Sequence, residues 1–213
     1  MKDHIILMAD VVGSSRTDQG QLMKDFMAVV KEINQTDKLA FLSPLTITLG
    51  DEFQGILKGL NDAVLVIQHL EETLIRTGKS FKLRYVTVEG AIDTPINREI
   101  AYGMLGDGLT RARQYIDLLK KSDQRFFFSL KNQAQKKALN NVFIGLQAII
   151  DDWNPERDYY LVTAFLAYRD YKQVAAALKK ERSLMWKRNK NLKIDAYLAL
   201  KEAAVYIGGD QHA

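Results

Sequence analysis

Two acid-bearing segments constrain this chain more than any other feature. One is Met8-Ala9-Asp10-Val11-Val12-Gly13-Ser14-Ser15, the other Thr48-Leu49-Gly50-Asp51-Glu52-Phe53-Gln54-Gly55. Each sets an aspartate at the edge of an apolar strand, beside glycine or hydroxyl residues. Were the two strands neighbours, Asp10 and Asp51 would stand at one sheet edge, in front of a backbone turn suited to phosphate. Carboxylate oxygens hold hard divalent ions, and Mg²⁺ takes one or two of them and completes its shell with substrate phosphates. The pair therefore predicts a nucleotide site with Mg²⁺ on Asp10 and Asp51. Either aspartate alone also fits an ordinary turn residue bonding its own backbone. Ser14 and Ser15 equally fit helix capping, and Glu52 is expected to face solvent.

The 213 residues contain no cysteine, which excludes disulfides, thiolate metal sites and cysteine nucleophiles. Its three histidines are scattered and make no metal-ligand spacing. The apolar stretch from Ile5 to Ala9 is too short for a signal-peptide core or a membrane span. A soluble, cytoplasmic protein is the expectation. The net charge of +4 is mild but uneven. Basic residues crowd the segment from Lys179 to Lys193, which is either a phosphate-binding face or a solvated helix surface.

Periodicity predicts strands at His4–Ala9, Leu45–Leu49, Phe53–Leu57, Lys82–Ile92 and Arg125–Ser129. Helices are predicted at Gln19–Ile33, Asn61–Arg76, Asp107–Lys120 and Asn132–Ile150. This order suits an α+β fold, a ferredoxin-like or palm sheet with helices on one face. The polar segment Asp151-Asp152-Trp153-Asn154-Pro155-Glu156 marks a boundary between a sheet domain, 1–150, and a small all-α domain, 151–213.

The aspartate closing the first strand, the Val-Val-Gly-Ser-Ser turn and the Gly-Asp hairpin resemble the class III nucleotide cyclase domain. Leu83 to Gly90 is similar to that family's following strand, and Tyr102-Gly103 through Arg113 to its nucleotide-contacting loop and helix. The Leu-Gly-Asp-Glu-Phe string is also similar to diguanylate cyclases, although their upstream acidic strand motif is missing. With the C-terminal region included, roughly residues 4–205 resemble the SatD family. The resemblance implies that Asp10 and Asp51 hold metal, and that Val11, Val12, Gly13, Ser14, Ser15 and Gly50 form the nucleotide-binding turns. It also shows departures. Ile47 stands where cyclases carry a purine-reading lysine, and Thr110 and Gln114 where they carry the transition-state Asn and Arg. Losing such a cation costs orders of magnitude in phosphoryl-type chemistry. Arg84, Arg111 and Arg113 read as surface residues with the option of meeting phosphate. The glycine run from Gly103 to Gly108 could present free N–H groups to an anion.

Beyond the boundary, Tyr160–Ala167, Tyr171–Leu178 and Ser183–Leu192 read as short helices in helix–turn–helix spacing, similar to DNA-reading domains of bacterial regulators. Lys180, Arg182, Ser183, Trp186, Lys187, Arg188 and Lys190 would supply base and phosphate contacts. The competing reading is a helical dimerisation module kept soluble by its basic residues. A last amphipathic helix, Ile194–Ile207, could pack against a second subunit. The sequence thus predicts a homodimeric regulatory DNA-binding protein with a degenerate cyclase-like domain that senses an unspecified nucleotide with Mg²⁺. The enzyme alternative is a metal-dependent nucleotidyl cyclase with a helical dimer clamp.

Overall fold

The computed structural model describes residues 3–13, 19–48 and 50–209. The elements run β1 (Asp3–Val11), α1 (Gln19–Thr36), β2 (Phe41–Ile47), β3 (Glu52–Leu57), α2 (Leu60–Arg76), β4 (Leu83–Ala91), α3 (Asp107–Leu119), β5 (Phe126–Ser129), α4 (Gln133–Ile150), α5 (Tyr159–Tyr168), α6 (Tyr171–Leu178), α7 (Arg182–Asn191) and α8 (Ile194–Gly208). Ser14 and Ser15 lie outside the described residues. The sheet order is β2-β3-β1-β4-β5. Its first four strands pair antiparallel, in the ferredoxin-like βαββαβ order, and β5 joins β4 in parallel through α3. The fold is α+β, as the sequence predicts.

One expectation is corrected. The helices cover both faces of the sheet, because β1 and β4 are apolar on both sides. Leu7, Ala9 and Val11 of β1 enter the layer shared with α1, α2 and α4. Ile6 and Met8 enter a second layer with Val86 and Val88 of β4 and Leu109, Ala112 and Ile116 of α3. A strand buried on both faces reads as a continuous apolar run rather than as an alternation. Both edge strands are closed by an amide side chain. Asn34 of α1 bonds the N–H and carbonyl of Leu45 on β2 at 2.9 and 2.8 Å. Asn140 of α4 does the same for Phe128 on β5, at 3.0 and 2.9 Å.

Beyond residue 150, α8 rests on α2 and α4 and α5 on α2, while α6 and α7 pack on α5, α8 and each other; their inward side chains belong to the same apolar cluster as the sheet. Polar links that fix α8 and the end of α7 include Gln68 Nε2 to the Lys201 carbonyl, Gln135 Nε2 to that of Ile207 and Trp153 Nε1 to that of Leu192. Under β4, Arg125 donates to both oxygens of Glu71 at 3.0 and 2.9 Å, and the Tyr85 hydroxyl donates to Glu71 at 2.8 Å. All three side chains are buried, so their mutual bonds offset a large desolvation cost. No helix among the described residues is long and apolar enough to cross a membrane.

Candidate functional site

Three adjacent strands end in a row of charge. On the antiparallel ladder Asp10 of β1 faces Glu52 of β3 on one side and Arg84 of β4 on the other. Positions directly opposite on a ladder share a face, and here it is the face covered by α3. Arg84 Nη1 donates to both Asp10 oxygens, at 3.0 and 2.9 Å. Lys120, which caps the C-terminus of α3, lies 3.1 Å from Glu52 Oε1 and 3.6 Å from Asp10 Oδ2. Arg113, earlier on α3, completes the group by pairing with Glu52. Burial pushes the Asp10 carboxyl up from its ordinary value, against the downward pull of Arg84 and Lys120. Burial also pulls on Lys120, but its bond to Glu52 and the two nearby carboxylates outweigh that and hold its pKa up.

The structure places several residues differently from expectation. Glu52 is buried rather than solvent-facing, and Arg84 is a buried ion-pair partner rather than a surface residue. The ladder pattern carried the signal, because a Glu one residue past the turn aspartate is the residue in register with Asp10. Asp51 is half-buried in the turn, and its carbonyl accepts from the Val11 N–H at 2.9 Å. The Val12 N–H donates to the Lys82 carbonyl, also at 2.9 Å. Both amides are thus used within the fold. Gly13 and Gly50 hold left-handed φ values of 70° and 71° and turn the chain at the ends of β1 and β2. Arg111 is committed to the Glu89 carbonyl and to Asp107.

As arranged, the donors do not fit a divalent cation. Both Asp10 oxygens are taken by Arg84, and Glu52 is met by Arg113 and Lys120. Among the described residues no group of three His, Asp or Glu side chains could hold a metal ion. Within the glycine run, Gly106 and Gly108 serve packing. A Cβ on Gly108 would meet the Gly90 carbonyl carbon at 2.9 Å and Ile6 Cδ1 at 2.6 Å, so α3 begins in close contact with β4.

The second charged region lies on α6 and α7, joined by the three residues Lys179–Glu181, with Lys179 left-handed at φ 52°. Met185 and Asn189 of α7 face inward, and Arg188 bonds buried Asp158 at 2.5 Å. Lys180, Arg182, Ser183, Trp186, Lys187 and Lys190 are exposed, with Trp186 at 48%. Lys190 pairs with Asp195 at 2.7 Å. Arg188 is therefore the one member of the predicted contact set that the fold turns inward.

A family model described as the SatD family matches residues 4–207. Comparison with curated proteins finds no match. Among solved structures, a bacterial light-regulated adenylyl cyclase is similar at 13% identity and TM-score 0.46, over 60% of this chain and 75% of that one. The guanylate cyclase domain of a protein from Catenaria anguillulae, solved with GTP, is similar at 16% identity and TM-score 0.40, over 55% and 72%. A regulator of polyketide synthase expression from Bifidobacterium adolescentis is similar at 12% identity and TM-score 0.31, over 98% and 81%.

Proposed function

The chain belongs to the SatD family, and on that premise we propose that it is a cytoplasmic, dimeric regulator that contacts DNA through α7 and senses a nucleotide at the strand ends of its sheet. One observation carries the DNA half. The two sides of α7 differ in exposure, with Met185 and Asn189 buried and Arg188 turned to Asp158, while Ser183, Leu184, Trp186, Lys187 and Lys190 stay exposed. A helix held by its neighbour across a short turn, with small donors and cations along its free side, has the form of a recognition helix. Lys180 and Arg182, exposed at its start, would be the phosphate contacts on this reading.

The sensing half draws on Arg84, Arg113 and Lys120, which gather at the strand ends beside the glycine turns. A phosphate-bearing ligand would meet cations there. Ile47, Thr110 and Gln114 supply neither a base-reading lysine nor a transition-state cation, which favours sensing over turnover.

Fluorescence anisotropy with duplex DNA across a salt series tests the assignment. Lys187→Ala/Lys190→Ala should weaken binding and lower the salt slope by roughly two, one for each phosphate the variant no longer neutralises. Arg188 is left intact because its bond to Asp158 is structural. Unchanged affinity and slope in the double variant would remove α7 from the interface.

A further inference from the structure

We propose that Lys120 is a built-in cation: its ammonium stands between Asp10 and Glu52, where a divalent ion would bridge them, and makes ligand binding at these strand ends independent of metal. This rests on reading the strand ends as the sensing part of the molecule. A divalent ion shared by two carboxylates needs an oxygen from each, free of stronger partners. Here Lys120 Nζ makes that bridge, at 3.1 Å from Glu52 and 3.6 Å from Asp10. Its remaining contact is with exposed Asp117, at 3.7 Å.

The surrounding groups reinforce the exclusion. Arg84 holds Asp10 from β4, and Arg113 holds Glu52 from α3, so an entering metal would have to displace three cations from two carboxylates. Two of those cations come from one helix and its cap. Lys120 is delivered by the end of α3, whose start is pinned against β4 by the Gly90–Gly108 contact. The backbone that carries Lys120 is thus positioned by packing at the far end of its own helix. Arg84 Nε is buried without a hydrogen-bond partner, which leaves a donor inside the group.

Two readouts on the full-length protein test this. Mn²⁺ uptake, followed by loss of the free-ion electron paramagnetic resonance signal, is compared in the wild type, Lys120→Met and Lys120→Met/Asp10→Asn. Lys120→Met should bind Mn²⁺ at least tenfold more tightly than wild type, and adding Asp10→Asn should abolish the gain. Lys120→Arg should behave as wild type, which separates the charge from any general loosening of α3. Equal Mn²⁺ binding by wild type and Lys120→Met would overturn the proposal.

Thermal unfolding with ATP or GTP, in EDTA and then in Mn²⁺, separates this inference from the reading beneath it. Stabilisation of the wild type in EDTA supports the built-in cation. Stabilisation only with Mn²⁺ overturns it while the sensing site stands. No stabilisation in either condition removes nucleotide sensing and with it metal-independent binding.

Discussion

Arg84 reaches Asp10 across a single rung of the β1–β4 ladder, and one guanidinium nitrogen serves both carboxylate oxygens. The pair is buried, so each partner is the other's main compensation. Arg84→Leu leaves the Asp10 charge with Lys120 alone, and breaking a buried pair in this way costs about 3 kcal/mol. The sign of the pH effect follows. Burial already raises the Asp10 pKa, so its ionisation opposes folding as pH climbs from the unfolded value through the folded one. Without Arg84 that loss should extend to higher pH. Urea unfolding at several pH values checks both, and a variant with wild-type stability throughout would refute them.

Asp158 behaves in the opposite sense. Its carboxyl is pulled down to about 2, first by Arg157, then by the Asn154 N–H and by Arg188. The stability it contributes is complete above its unfolded pKa and is lost as pH falls from about 4 towards 2. Discounted for the exposed Arg157 arm, the contribution is about 1 kcal/mol. Asp158→Asn should flatten the acid limb of the stability profile by that amount, measured by calorimetric or urea unfolding between pH 2 and 5.

The contact between Gly90 and Gly108 leaves no room for a methyl group. A Cβ on Gly90 would stand 2.7 Å from Gly108 Cα. Gly108→Ala should therefore push α3 off β4 and destabilise the fold by about 2 kcal/mol. A shift that carries Lys120 away from Asp10 and Glu52 should also let the variant bind Mn²⁺ more tightly than the wild type. A fully stable Gly108→Ala protein would show that α3 tolerates displacement.

Three non-glycine residues, Arg169, Lys179 and Lys193, hold left-handed backbone at the helix junctions of the C-terminal region. Lys179 closes α6 with its N–H on the Ala176 carbonyl. Glycine is the natural occupant of such a position. Lys179→Gly should raise stability by about 0.5 kcal/mol, the relief of left-handed strain less the added freedom of the unfolded chain. A lowered melting temperature would indicate that the Lys179 side chain itself contributes packing.

The strands and helices were legible because their periods are clean. Ala63, Val64, Ile67, Leu70 and Leu74 mark one side of α2 unmistakably, and all five are buried. The second apolar layer was less legible. A doubly buried strand such as Leu83–Val88 has no alternation from which to read a covered far face. At the site, Asp10 stood out as a charge ending an apolar run. Its partners did not, because Arg84, Glu52 and Lys120 lie 74, 42 and 110 positions away and meet it only through strand register and the length of α3. Arg188 reads in the sequence as one more DNA contact, and its pairing with Asp158 was hidden for a related reason. In a run of basic residues nothing local distinguishes the one that finds a buried carboxylate.

Asn34 and Asn140 each occupy both backbone groups of an edge-strand residue. A strand edge is a template on which another chain can lay down its own backbone, and these two amides imitate that guest from within. The sheet is thereby finished rather than merely ended at Leu45 and Phe128. Recognition by strand addition is closed to it at those two positions. Its conversation with other molecules is left to side chains, on helices and at strand ends, where a sequence can change its message without reopening the fold to its own copies.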